Sequence, residues 1–251
     1  MDLKKTKLMT ALSVIFAATL MMGSISQAAD SSPGEGYYAG LFIGYGTGIL
    51  QADVNVIDSG NSNTANFETN RGGLGLSGIQ GGGWLGWGMK TADDLYFGAE
   101  ISLAGSDEKI ELTTTANVID ASVGDPITSA SAKRNWVGGG AVRVGYYVNS
   151  ETLLALSGGV AVSQFTVDIG SDSDTLYAGG PQVGASVTTN LSKIDPNLSL
   201  RMEFVYTNYL TADINGIDGN TVGGQGNAGS NNDSTVTGHD TAGRIGVTYR
   251  F

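Results

Sequence analysis

"GRIGVTYRF" occupies residues 243–251 and ends on Phe251. Counting back from Phe251, every second residue is apolar: Phe251, Tyr249, Val247 and Ile245. The residues between them are Arg250, Thr248, Gly246 and Arg244. A period of two puts these sets on opposite faces of a strand. Domain termini in water are commonly polar and frayed. A strand with one greasy face and one arginine face, held to its last residue, calls for two different environments.

The same alternation recurs along the chain. It is read at residues 36–56, 71–90, 95–105, 134–148, 153–169, 175–191 and 198–214, before the last segment at 241–251. No window beyond the N-terminal segment keeps a helical period between caps. The chain has 39 Gly and 4 Pro, and the glycines sit inside the alternating segments. That composition fits strands whose backbones approach closely. There is no Cys, so no disulfide supports the fold.

Side-chain direction follows from the alternation. In the first segment Tyr37, Ala39, Leu41, Ile43 and Tyr45 share one face, and Tyr38, Gly40, Phe42, Gly44 and Gly46 the other. Leu95, Phe97, Ala99, Ile101 and Leu103 oppose Tyr96, Gly98, Glu100 and Ser102. Val137, Gly139, Ala141, Arg143 and Gly145 share the inward face of the fourth segment. Leu198, Leu200, Met202, Phe204 and Tyr206 oppose Arg201, Glu203 and Thr207. The second segment changes parity near 77–80, which predicts a bulge. Pro181 predicts a break in the sixth.

One face is thus continuously apolar, and the other carries Gly, hydroxyls and charges of both signs. Short connections at 91–94, 149–152 and 192–197 alternate with longer ones at 57–70, 106–133, 170–174 and 215–240. These features predict an all-β fold, a transmembrane up-and-down antiparallel β-barrel of eight strands with short periplasmic turns and long extracellular loops. Tyr37, Tyr38, Trp87, Tyr96, Phe97, Tyr146, Tyr147, Tyr249 and Phe251 fall near one end, and Trp136, Phe165, Tyr177, Tyr206 and Tyr209 near the other. Two aromatic girdles at the membrane surfaces are expected.

The N-terminal residues fit export. Lys4, Lys5 and Lys7 precede an apolar stretch at 8–22, and Ser26 and Ala28 are small residues suited to cleavage. Residues 1–28 read as a cleaved signal peptide and residues 29–251 as one outer-membrane barrel domain. The full chain carries a net charge of −11, and loss of three lysines with Asp2 makes the remainder more acidic. No nucleic-acid partner is expected of such a surface.

"GYYAGLFIGYG" in the first strand, "GIQGGGWLGWG" in the second and the terminal "GVTYRF" resemble the small eight-stranded outer-membrane barrels, the group of the OmpA transmembrane domain and the Opa-like porin family. The resemblance covers residues 29–251. It implies a location in the cell outer membrane, contact with its lipid and lipopolysaccharide, and a C-terminal signal formed by Val247, Tyr249 and Phe251 and read by the β-barrel assembly machinery. Some members add a periplasmic peptidoglycan-binding domain after the barrel, and none is expected after Phe251.

Catalytic motifs are weak. "GLGLSG" at 73–78 matches a dinucleotide fingerprint, but more strand pattern follows where a helix N-terminus is needed. His239 is the single histidine, beside Asp240 and near Ser230 and Ser234, and reads as a solvated loop residue. "DINGIDGN" at 213–220 has its Gly out of place for a calcium loop and lacks the closing Glu. No catalytic residue, metal or cofactor is expected. Asp107, Glu108 and Asp240 are counted among the acidic residues of the loops.

The lumenal charges Glu100, Arg143, Arg201, Glu203, Arg244 and Arg250 form either a plug or the gate of a narrow path. Eight strands enclose a space that side chains fill, which favours the plug. The expected role is a non-enzymatic one at the envelope surface, with the loops serving integrity, adhesion or an extracellular ligand. A small passive channel is the alternative, and a membrane-embedded hydrolase or acyltransferase using His239 a second one.

Overall fold

The computed structural model describes residues 32–58, 63–68, 74–113, 129–169, 172–213 and 235–251; the expected signal peptide lies outside them. Ten strands run in chain order: β1 Gly36–Asp58, β2 Asn63–Glu68, β3 Leu74–Lys90, β4 Leu95–Ser106, β5 Lys109–Thr113, β6 Ser129–Asn149, β7 Thr152–Ile169, β8 Asp172–Asn190, β9 Leu198–Asp213 and β10 Thr235–Arg250.

Eight of them close a barrel in the order β1, β3, β4, β6, β7, β8, β9, β10, all antiparallel. The seam between β10 and β1 runs from Tyr38 opposite Arg250 to Asp53 opposite Thr235. β2 and β5 are not extra staves. β2 takes over from β3 along the upper part of β1, and β5 takes over from β4 along β6. Closure pairs both edges of the eight staves across the apolar belt, as a lipid environment demands.

The alternation sorts the side chains as expected on β1, β4, β9 and β10 and on the lower part of β6. Val142 is 65 % exposed, Leu156 63 %, Ile101 62 % and Ile43 58 %. Apolar exposure on this scale right round a barrel has no place in water. Tyr37, Trp87, Tyr146 and Tyr249 rim this belt at the end with the tight turns; Tyr45, Trp136, Tyr177 and Tyr206 rim it at the other. Tyr38, Tyr96, Tyr147, Phe165 and Tyr209 do not join the girdles: they are buried inside.

β1 has 23 residues and β6 has 21. A tilted spanning strand needs about 9–11, so the barrel continues well past the belt at the loop end. Residues 170–171 alone separate β7 from β8. The expected alternation of short and long connections fails at this hairpin, which is tighter than the turn between β8 and β9.

Of two expected irregularities, one is absent and the other is confined to one side of its strand. β3 keeps one register with β1, from Gly36 opposite Gly88 to Leu50 opposite Leu74, without a bulge. Leu76 and Trp84 point inward there, and their apolar character mimicked a change of parity. Register with β7 runs straight through Pro181, opposite Val160, but the ladder with β9 stops at Gln182, so the break expected at Pro181 falls on that side alone. Shifts also occur between Arg134 and Trp136 on β6 and between Val236 and Gly238 on β10.

The interior is packed in layers. Tyr96, Tyr147, Leu153 and Ala155 fill the turn end. Residues 32–34 lie against them, with the Tyr147 hydroxyl donating to the Pro33 carbonyl at 2.9 Å. Gly34 makes this bend at φ 83°, a conformation open to glycine. Phe42, Trp84, Ala104, Val137 and Ala161 form the middle layer with Tyr38. Leu50, Leu76, Ala132, Phe165, Leu176, Ala178 and Tyr209 form the upper one.

Candidate functional site

The strand order decides which lumenal charges meet. β4 and β9 stand diametrically opposite, as do β6 and β10. From β9, Arg201 donates across the lumen to Glu100 of β4 at 2.5 and 3.1 Å. It also pairs with Glu203 on its own strand. Arg143 of β6 lies 3.5 Å from Glu100 and donates to the Ser186 hydroxyl at 2.9 Å. The Tyr38 hydroxyl donates to Glu100 at 2.9 Å and accepts from Arg143 at 3.1 Å. Arg244 of β10 is 3.7 Å from Glu203 and donates to the Gln80 side-chain oxygen at 3.3 Å.

This network rests on an aromatic slab. Phe42 and Trp84 stack at 4.9 Å, with the guanidinium of Arg201 4.3 Å from the Trp84 ring centre and that of Arg244 4.8 Å from Phe42. Cation–π attraction adds to the ion pairs where water is excluded. Trp84 donates to the Thr248 hydroxyl at 3.0 Å. Gly86 and Gly40 make room, since a Cβ at either would collide with Tyr38 or Trp84 respectively.

Five of the six expected lumenal charges therefore meet. Arg250 does not: it donates to the Asn197 side-chain oxygen at 2.5 Å, down at the β8–β9 turn. Its strand position has the right parity, but it lies too near the strand end to reach the others.

A second network lies above the first. Arg134, 1 % exposed, donates to Asp240 at 2.7 Å and to the Tyr209 hydroxyl at 3.2 Å, and pairs with Glu108. Tyr209 in turn shares a 2.7 Å hydrogen bond with Ser163. Glu108 is also 1 % exposed and Asp240 5 %. Both are counted as loop acids in the sequence reading, and both are corrected here to buried lumenal groups. Glu108 keeps the inward phase of Glu100, Ser102, Ala104 and Ser106, and the register against β3 is the same on both sides of it; it is missed because the strand is read as ending at Gly105. Asp240 continues the inward series of Ala242 and Arg244 by one more step.

Arg134 is missed because Asn135 is an extra residue on β6, with Arg134 opposite Phe165 and Trp136 opposite Gln164. The bulge turns Arg134 inward. The available cue was an arginine in phase with the outward Trp136, Val142 and Val144. Fully ionised, the lower network has one positive charge in excess and the upper one negative. Burial, reinforced by the Asp240 carboxylate and only partly offset by Arg134, pushes the Glu108 carboxyl up to about 7. Outside the wall, the hydrogen bond from Lys133 at 2.8 Å holds the Asp107 carboxyl below its ordinary range.

The other sequence candidates are scattered. His239 faces outward beside Tyr206, with ring centres 5.9 Å apart, while Asp240 points into the lumen. The two cannot form a dyad from opposite faces, and Ser230 and Ser234 lie outside the described residues. The glycine-rich stretch at 73–78 runs, from Leu74 onward, within strand β3. Apart from Asp213, the stretch at 213–220 lies outside the described residues. Val247 and Tyr249 face outward, and the Phe251 amide donates to the Tyr37 carbonyl at 3.0 Å.

Closed stave order, an apolar exterior between aromatic rims and a charged, packed interior define an eight-stranded transmembrane β-barrel of the outer-membrane type. No family model and no curated protein sequence matches the chain. Solved structures similar to it include three outer-membrane proteins. Ail of Yersinia pestis, in complex with the heparin analogue sucrose octasulfate, has 12 % identity over 86 % of this chain and 99 % of its own, with a TM-score of 0.37. OprG of Pseudomonas aeruginosa has 12 % identity over 88 % and 98 %, with a TM-score of 0.49. The protease OmpT of Escherichia coli has 10 % identity over 90 % and 100 %, also with a TM-score of 0.49. Likeness at this level says nothing about activity.

Proposed function

We propose that this protein is a non-enzymatic, non-conducting barrel that holds its extracellular segments at the cell surface. The observation that carries this reading is the pair of ion-pair networks spanning the lumen, Glu100 with Arg201 and Arg134 with Asp240, set among three packed layers. Breaking buried pairs is costly, so this interior resists the rearrangement a conducting path requires. The outward belt meets outer-membrane lipid and lipopolysaccharide. Integrity, adhesion or ligand contact then resides in the connections at the loop end. Val247, Tyr249 and Phe251 serve as the signal for the assembly machinery.

Planar-bilayer recording tests the closed lumen. The wild-type barrel should give no stable single-channel steps. Steps that vanish in Arg201→Ala would overturn the reading and establish the channel. Deleting residues 114–128 or 214–234 should abolish any cell-surface binding or envelope phenotype while leaving a folded barrel. A phenotype that survives both deletions would place the role elsewhere.

A further inference from the structure

We propose that the interruption at 107–108 is a pH-dependent latch: Glu108, seated in the lumen between Arg134 and Asp240, locks the upper wall in acid and loosens it in base. The proposal concerns the upper wall alone and does not depend on the surface role above.

The wall is built for this insertion. Among the described staves, β4 and β5 together leave the ladder for two residues, Asp107 and Glu108. The backbone remains bridged on both sides, with the Asp107 amide donating to Ile79 of β3 and the Arg134 amide to the Glu108 carbonyl, each at 2.9 Å. The side chain of Glu108 enters a niche cut by two glycines. A Cβ at Gly46 of β1 would overlap its carboxylate, and a Cβ at Gly78 of β3 would stand 2.7 Å from its Cα. Neither glycine has a positive φ, so the space itself is what they supply.

The charges around the niche are uneven. Arg134 comes from β6 and Asp240 from β10, with Arg244 below them on the same strand. Tyr209 from β9 shares Arg134. The Ser106 hydroxyl at the end of β4 accepts from the Glu108 amide at 3.2 Å and from Arg134 at 3.4 Å. β1, β3 and β7 present Gly46, Gly78 and Ser163 there, without charge. Asp107 and Lys133 pair on the outer surface, and Lys109 is exposed beside them. One guanidinium therefore serves two buried carboxyls, and the second is comfortable only with a proton.

Seated, the Glu108 carboxyl binds its proton up to about 7, against 4.5 for an ordinary glutamate. A raised value means that the seated pose keeps its full advantage below the ordinary value. The advantage falls as pH rises and is gone above about 7. Between pH 5.5 and 8.5 the seating equilibrium should weaken by roughly thirtyfold.

Hydrogen exchange of the full barrel in lipid, read by mass spectrometry and corrected for intrinsic rates, tests this. Protection of the Asp107 and Arg134 amides should drop by roughly thirtyfold between pH 5.5 and 8.5, provided that local opening governs exchange. Glu108→Gln should hold that protection flat. Asp240→Asn, which removes the neighbouring negative charge, should move the transition to lower pH. Flat protection in the wild type, or the same drop in Glu108→Gln, would overturn the latch.

Discussion

Arg201 on β9 grips Glu100 on β4 with two nitrogens, at 2.5 and 3.1 Å, from the opposite side of the barrel. The pair joins staves that share no backbone hydrogen bond. It therefore holds the barrel's width directly, a constraint that the ladders supply only by going round the circumference.

Arg201→Met should cost about 3–5 kcal/mol, because Glu100 and Glu203 would be left buried with less compensation. Replacing Glu100 by Gln in the same chain should recover part of that loss. Urea-dependent unfolding in micelles, followed by the heat-modifiable mobility of the folded barrel, measures both. An equal loss in the single and double variants would contradict the pairing.

The lumenal glycines should be far less tolerant than the lipid-facing ones. A Cβ at Gly86 meets the Tyr38 ring, whereas one at Gly158 meets nothing within 4 Å. Gly86→Ala should cost about 1–3 kcal/mol through overpacking. Gly158→Ala should stay within about 0.5 kcal/mol of wild type. Unfolding midpoints of the two variants, measured side by side, check the contrast.

The apolar belt should respond to charge according to depth. Val142, 65 % exposed, lies well inside the belt. Thr47 lies just beyond the aromatic rim, two residues above Tyr45 on β1. Val142→Arg should destabilise the barrel folded in a phospholipid bilayer by about 2–4 kcal/mol, and Thr47→Arg by about 0–1. Equal penalties at both sites would misplace the belt.

Deleting Phe251 should impair assembly more than stability. The deletion removes one backbone hydrogen bond to Tyr37 and a ring contact with Tyr249 at 5.7 Å. Losses of that size should move the unfolding midpoint of purified, refolded barrel only slightly. The yield of heat-modifiable protein in the outer membrane should fall much further. Normal yield in the membrane would remove the assembly role of Val247, Tyr249 and Phe251.

The closing strand at 243–251 illustrates what was readable in advance. Ile245, Val247 and Tyr249 face outward and Arg244 and Thr248 inward, as their spacing requires. A strand has a period of two, so local order alone assigns each residue to a face wherever pairing is uninterrupted. That is why the barrel, its apolar exterior and five of its lumenal charges were legible from residue order. Where the period breaks, the rule fails. One extra residue at Asn135 reverses Arg134. Glu108 keeps the period of β4 and is hidden only because the strand is read as ending at Gly105. Register between staves is equally hidden from local order, because it depends on how the whole sheet closes. Strand order and register bring Glu100 to Arg201 and Arg134 to Asp240 across the lumen, and leave Arg250 at the β8–β9 turn beside Asn197.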